Sequence, residues 1–294
     1  MKRVLITGAN SYVGSNMEKW LMREPNNYYV ETLDMKNPNW KNFDFSKFDV
    51  VFHVAGIAHV STKKSMKDLY FKVNRDLTID TAKISKAAGV KQFIFMSSMI
   101  VYNSKETRIT LETKPNPDNF YGLSKLQAED GIKGLQSEDF NVCILRPPMI
   151  YGPGSKGNFP KLIKLAKMTP IFPNFQNRRS MLYIDNLAET IKTMIDDKMN
   201  GTYFPQNNEY SCTTKIVKFY SKHYKRKVWF TKLVNPLVIV LIRLNNSFNK
   251  MFGDFYYDIL YHKKYNFNIS KNNEESYLKI INKDDENENS IHST

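Results

Sequence analysis

An α/β chain, with a parallel sheet covered by helices on both faces, is what the first half of this 294-residue sequence predicts. Two observations predict it. Short apolar runs recur at strand length, and segments with helical spacing separate several of them. The runs are rich in Val, Ile and Phe with little polar alternation, as strands buried on both faces require.

In chain order, "RVLI" (3–6) reads as the opening strand and "TGANSYVGS" (7–15) as a glycine turn that leaves it and opens a helix. "YYVETLD" (28–34), "FDVVFHVAG" (48–56), "KQFIFMSS" (91–98) and "FNVCILRPP" (140–148) read as further strands. Leu69 to Ala88 and Tyr121 to Leu135 carry helical spacing. After Arg146 the character changes. "PPMIYGPGSKGNFP" is rich in Pro and Gly, and shorter helices and loops are expected beyond it, forming a smaller lobe on the carboxyl edge of the sheet, where ligands of open α/β sheets bind. The expected division is 1–146 for the sheet domain, with a return segment near 180–204, then 147–270 for the smaller lobe. Residues 271–294 are polar and are expected to be a frayed or disordered tail. No internal repeat is present.

Composition excludes several classes. Two cysteines, Cys143 and Cys212, cannot make a disulfide framework and suit a reducing cytosol, so a cytoplasmic protein is expected. The apolar run at the N-terminus is too short for an export signal. "LVIVLI" (237–242) falls far short of the ~20 residues that span a bilayer, and is expected to pack as a helix on the smaller lobe rather than lie on a membrane surface. The net charge is +14, although 271–294 holds three lysines and six acids. With no dense basic block and no interleaved aromatics, the surplus reads as a lysine-rich solvated surface and no nucleic-acid partner is expected. No metal site is expected.

The opening turn lacks one glycine of the dinucleotide-binding pattern: Gly8 and Gly14 are present, and Ser11 stands between them. Gly8 can supply the bend and Gly14 the close helix packing, while a small hydroxyl residue suffices between them and can donate to a phosphate. Asn10, Tyr12 and Val13 complete the turn. Twenty residues past Gly14, Asp34 ends a strand where a carboxylate can accept from ribose hydroxyls. An acid there repels a 2′-phosphate, which favours NAD over NADP, although Lys36 softens the inference. The alternative reading of Asp34 is a strand-end turn residue.

Two further stretches carry chemistry. "NFYGLSKLQAED" places Tyr121 and Lys125 four apart on one helix face, and "FIFMSSMIVY" places Ser97 and Ser98 at a strand end. A neighbouring ammonium and a nicotinamide cation would both stabilise a phenolate, so Tyr121 could exchange a proton with an alcohol or ketone whose oxygen Ser98 holds.

With the glycine turn, Ser98, Tyr121 and Lys125 resemble the short-chain dehydrogenase/reductase superfamily. "VFHVAG", Asn74 in "FKVN", "SSMIVY", "RPPMIYG" and "RRSMLYIDNL" narrow the resemblance to its extended branch, the NAD-dependent epimerase/dehydratase family of nucleotide-sugar enzymes. It covers residues 1 to about 230. The resemblance implies a Rossmann-like NAD-binding domain, cofactor contacts at Gly8, Asn10, Ser11, Tyr12, Val13, Gly14, Asp34, Ala55, Gly56, Asn74, Lys125 and Pro148, and a UDP-sugar substrate. The family's serine lies four before the tyrosine of "VY", which selects Ser98 over Ser97. An arginine ahead of the "YI" stretch contacts the diphosphate in the family, and here that position is Arg179, with Arg178 beside it and Asn158 as a further substrate candidate. His59 could line the sugar pocket but reads better as a polar loop residue. Family members are often homodimers, so a homodimer is an expectation.

Among the family's reactions, 4,6-dehydration is expected to be absent, because Met99 and Ile100 stand where an acid pair should follow the serine. The Glu that follows the serine in related decarboxylases is missing too, and Cys143 reads as core rather than half of an epimerising Cys/His pair. A 4-keto-reductase acting on a UDP-4-keto-6-deoxy-N-acetylhexosamine fits the details best, with a UDP-hexose 4-epimerase as its rival. A non-catalytic NAD-sensing scaffold is a further alternative, although such proteins usually lose the Tyr or the Lys.

Overall fold

A computed structural model of the chain describes residues 1–58, 64–258, 267 and 269–292. The first half contains β1 (Lys2–Thr7), α1 (Tyr12–Leu21), β2 (Tyr28–Leu33) and β3 (Val50–His53). Next come α2 (Lys67–Tyr70), a π-helical turn (Phe71–Asp76) and α3 (Leu77–Ala87), which run on as one helical segment. β4 (Gln92–Met96), the short β5 (Arg108–Ile109), α4 (Phe120–Lys133) and β6 (Asn141–Leu145) follow.

Five of these strands pair in parallel, and the sheet is closed by a sixth, β10, given below; the order is β10-β6-β4-β3-β1-β2. Successive residues alternate between two cores, as the pleat demands. Val4, Ile6, Phe52, Ile94 and Leu145 enter one, and Leu5, Val51, Phe93, Phe95 and Ile144 enter the other. Helix α1 covers the first core through Met17 and Leu21, and α4 covers the second through Ala128 and Ile132. Cys143 is fully buried in the first core, as its place in the apolar run predicts. The order reverses between β1 and β3, and crevices at such a switch are where ligands of doubly wound sheets bind.

The second half contains β7 (Met149–Tyr151), α5 (Asn158–Met168), β8 (Ile171–Pro173), β9 (Met181–Tyr183), α6 (Ile184–Asp196) and β10 (Gly201–Tyr203). Helix α6 places Leu187, Ile191 and Met194 against the sheet, and β10 pairs with β6. α7 (Thr213–His223), β11 (Trp229–Thr231), α8 (Asn235–Leu244), α9 (Asn246–Phe252) and β12 (Tyr256–Tyr257) follow, with small parallel pairings of β7 with β9, β8 with β11 and β5 with β12.

One expectation is corrected here. The segment expected to be a disordered tail forms a helix, α10 (Asn273–His292). Tyr277, Ile280 and Ile281 share one face at helical spacing and are buried, and the Tyr277 ring lies 5.8 Å from those of both Phe159 and Tyr220. A few apolar residues in a polar segment suffice once a ready-made aromatic cluster receives them. Helix α8 does pack on the lobe, but narrowly: Val238 is its one fully buried residue, with Ile242 partly buried against the same core, while Leu237, Ile239 and Val240 face outward.

Candidate active site at the carboxyl edge of the sheet

The turn after β1 is built by close approach. Gly8 sits at φ +100°, and a Cβ there would meet the backbone nitrogen of Ala55 at 2.9 Å, so the loops leaving β1 and β3 touch at the switch point. Asn10 is left-handed (φ 63°), a conformation asparagine tolerates. Ser11 is the N-cap of α1, its Oγ accepting from the Gly14 amide at 3.1 Å. A Cβ on Gly14 would lie 2.6 Å from that oxygen, which explains the glycine. The first N–H groups of a helix have no intrahelical acceptor, so the Tyr12 and Val13 amides remain for a ligand. No acid stands in the first turn of α1, and a phosphate would meet a helix dipole without repulsion. The turn therefore fits a dinucleotide pyrophosphate. Tyr12 turns its own hydroxyl inward, where a Gly152 Cβ would meet it at 2.8 Å, and burial pushes its pKa up.

The same turn is tied to the end of β2, since the Gly8 and Ala9 amides both donate to the Leu33 carbonyl. Asp34 thus lies beside the turn and is exposed. One of its carboxylate oxygens accepts from the Lys36 amide at 2.9 Å, so the turn role read from sequence is real, and its other oxygen is compatible with a ribose contact.

Asn74 is wholly buried in the π-helical turn. It accepts from the Ile57 amide at 2.8 Å and donates to the Ile57 carbonyl and to Ser124 Oγ. It acts on the site by clamping the loop that carries Ala55 and Gly56, and a Cβ on Gly56 would press on its Oδ1 at 2.9 Å. His53, at the end of β3, bridges Thr7 (2.7 Å) and Thr78 (3.0 Å), and burial, then the nearby Lys125 charge, drive its pKa down to about 3. This histidine is neutral and structural; sequence reading passed it over.

Ser98, Tyr121 and Lys125 converge where β4 ends. Ser98 caps a 3-10 turn, its Oγ accepting from the Ile100 amide, and its hydroxyl acts on the Tyr121 phenol to lower its pKa. The lowering expected from Lys125 is not found: burial pushes the Tyr121 phenol up to about 12, Ser98 works against that shift, and Tyr70, whose ring lies 6.0 Å away, adds to it. Lys125 is 4% exposed, donates to the Met96 carbonyl at 2.9 Å and lies 4.7 Å from the Phe95 ring centroid. Burial lowers its pKa to about 8, with Glu129 opposing. A Cβ on Gly56 would fall 3.2 Å from its Nζ, so the lysine stands beside the loop after β3.

The neighbouring Ser97 is committed elsewhere. Its Oγ donates to Glu129 at 2.5 Å, and Glu129 is wholly buried against the Arg146 guanidinium in a two-pronged ion pair (2.5–3.1 Å). Adjacent strand-end residues point oppositely, which leaves Ser98 for Tyr121 and gives Ser97 to the core. Glu129 lies four beyond Lys125 on the same helix, a spacing that could have flagged it. Met99 is also buried, packed with Val101 and Tyr257, whereas Ile100 is half-buried. Pro148 is buried just past β6, where the Met99 amide binds the Pro147 carbonyl.

The two substrate candidates of the second half differ in their surroundings. Asn158 is exposed at the first position of α5. Arg179 sends Nη1 to the carbonyls of Gly253 (2.9 Å) and Asn249 (3.4 Å), closing the end of α9, and burial lowers its pKa to about 10. Its Nε and Nη2 make no hydrogen bond among the described residues. Arg178 is exposed and pairs with Asp254 at 3.5 Å. His59 lies outside the described residues. Among the described residues no group of His, Cys, Asp and Glu could hold a metal, and no helix is long and apolar enough to cross a membrane.

A serine, a tyrosine and a lysine at the carboxyl edge of a doubly wound sheet, beside a phosphate-ready glycine turn, define a class: an enzyme that moves hydride and proton with a dinucleotide. The model of the NAD dependent epimerase/dehydratase family matches residues 4–206, and the chain belongs to that family, whose members modify nucleotide sugars by epimerisation, dehydration or reduction. A UDP-glucose 4-epimerase of Vibrio cholerae is 30% identical over 279 residues, covering 86% of this chain and 83% of that protein. Two solved structures share the fold. MoeE5 in complex with UDP-glucose and NAD superposes with TM-score 0.73 at 16% identity, covering 97% of this chain and 99% of that one. A dTDP-4-dehydrorhamnose reductase from Bacillus anthracis in complex with NADP superposes with TM-score 0.64 at 22% identity, over 79% of this chain and 84% of that one.

Proposed function

We propose that the protein reduces the 4-keto group of a UDP-linked 6-deoxy-hexosamine, with NAD(H) as the preferred cofactor. The observation that carries single-carbon chemistry is the Ser98–Tyr121 pair followed by two residues, buried Met99 and half-buried Ile100, that cannot move a proton. Dehydration needs a further acid and base, and neither position supplies one.

The turn from Gly8 to Gly14, with Asp34, Ala55, Gly56, Lys125 and Pro148, would hold the dinucleotide, and Asn74 would keep the Gly56 loop in place. A nicotinamide held there would supply the hydride. Tyr121, protonated at neutral pH, gives its proton to the keto oxygen, and Ser98 steadies that oxygen through the same hydroxyl pair. Lys125, whose Nζ stands at the Met96 carbonyl beside the Gly56 loop, would face the cofactor. Arg179 would meet the diphosphate through its unengaged nitrogens, with Asn158 at the rim.

The 4-epimerase reading has one observation in its favour: the Vibrio cholerae relative, 30% identical over most of both chains, bears that name. Both reactions use the same Ser, Tyr and Lys, so the experiment must separate them. Incubation with NADH or NADPH and a UDP-4-keto-6-deoxy-hexosamine should oxidise the cofactor stoichiometrically, with little exchange of UDP-glucose and UDP-galactose. Protein that carries bound NAD and equilibrates those two sugars without added cofactor would establish the epimerase instead.

A further inference from the structure

We propose that α8 and the basic surface around it dock the protein reversibly on an anionic lipid bilayer. This goes beyond the chemistry above and stands whether that chemistry is reduction or epimerisation. The first observation is an uncovered apolar stripe. Leu237, Val240 and Leu244 are 59%, 51% and 78% exposed, and their spacing of three and four sets them on one face of α8, opposite Val238. Leu233, just before the helix, is 81% exposed, and Trp229 on β11 is 61% exposed. Soluble monomers rarely leave so many large apolar side chains together at the surface.

The second observation is charge. From Tyr210 to Gly253 the chain has seven lysines and two arginines and not one acid, so most of the net +14 arises here. None of these nine cations forms an ion pair among the described residues. A groove beside Trp229 is lined by Lys218, Lys222, Arg226 and Lys227.

Together the two features select the occupant. A second copy of the chain in a two-fold interface would bring this lysine- and arginine-rich stretch, which has no acid of its own, against itself, cation to cation. An anionic bilayer takes both features at once: apolar side chains enter the boundary of the acyl region while lysines and arginines meet the headgroups. With ten residues α8 is too short to cross, so it would lie in the interface plane. Helix α9 follows it directly and supplies the carbonyls that hold Arg179, so the docked surface adjoins the lobe bearing that arginine.

Flotation of the full chain with vesicles tests the proposal. Protein should float with phosphatidylglycerol/phosphatidylcholine vesicles and about tenfold less with phosphatidylcholine alone. Raising the salt from 0.1 to 1 M, which shortens the screening length from about 10 Å to about 3 Å, should release it. A Leu237→Asp/Val240→Asp variant should lose about tenfold in vesicle binding. Both side chains are exposed, so its circular-dichroism melt should match the wild type. Wild-type protein that ignores anionic vesicles, or floats equally well with neutral ones, overturns the proposal. So does a solution dimer that the double variant splits into monomers, which would give this face to a second copy.

Discussion

Replacing Lys125 with methionine isolates the electrostatic cost of holding an ammonium group in this site. Lys125 is 4% exposed, and burial lowers its pKa from the ordinary 10.5 to about 8. The unfolded chain keeps this proton up to about 10.5, whereas the folded chain releases it near 8. Between those values the unfolded state binds the extra proton, so the wild type gains stability as pH rises through this window, and below it the burial cost is felt in full. At about 1.4 kcal/mol for each pH unit, the whole gap is worth about 3 kcal/mol, and about 2.5 kcal/mol of it falls between pH 7 and pH 10. Methionine fills similar space and does not titrate. It loses the bond to the Met96 carbonyl, about 1 kcal/mol, as an offset that the pH comparison removes. Urea unfolding of both proteins at pH 7 and pH 10 measures the effect, because titrations elsewhere cancel in the difference. The wild type should gain about 2–3 kcal/mol on Lys125→Met over that interval. Differences that stay within about 0.5 kcal/mol of each other would refute the reasoning, since the lysine would then titrate alike in both states.

Three other outcomes are expected. Tyr121→Phe should lower kcat by about 10²–10⁴ while cofactor titration by fluorescence stays near wild type, because only the proton-carrying oxygen is removed; an unchanged kcat would remove Tyr121 from the mechanism. Arg146→Met should destabilise the fold by about 3–5 kcal/mol in urea, because Glu129 is then buried without its partner, and a loss below about 1 kcal/mol would contradict the buried pair. Gly8→Ala should cost about 1–3 kcal/mol and weaken cofactor binding, since its backbone is left-handed and its Cβ would strike the Ala55 backbone; calorimetric titration reads the second effect, and unaltered affinity would show that the turn does not bind the dinucleotide.

Amino-acid order alone determined whatever depends on near neighbours. Apolar runs of strand length, separated by helical spacing, specify the parallel sheet because the two periods are local properties of the backbone. The glycine turn, and Tyr121 four before Lys125, are legible for the same reason: each is set within a single turn of chain. Tertiary structure decided what depends on remote partners. Ser97 and Ser98 are identical in sequence, and only Glu129, 32 residues on, claims the first for the core. Arg179 looks like a free anion ligand until the carbonyl of Gly253, 74 residues away, takes one of its nitrogens. The polar composition of 273–292 suggests disorder, yet Tyr277, Ile280 and Ile281 meet an aromatic cluster built from β7, α5 and α7. The run at 237–242 suggests burial, yet Leu237, Ile239 and Val240 stay exposed while Val238 and, in part, Ile242 meet the core. In each case the free energy of a side chain is set by what packs against it, and contacts between distant segments leave no local pattern in the chain.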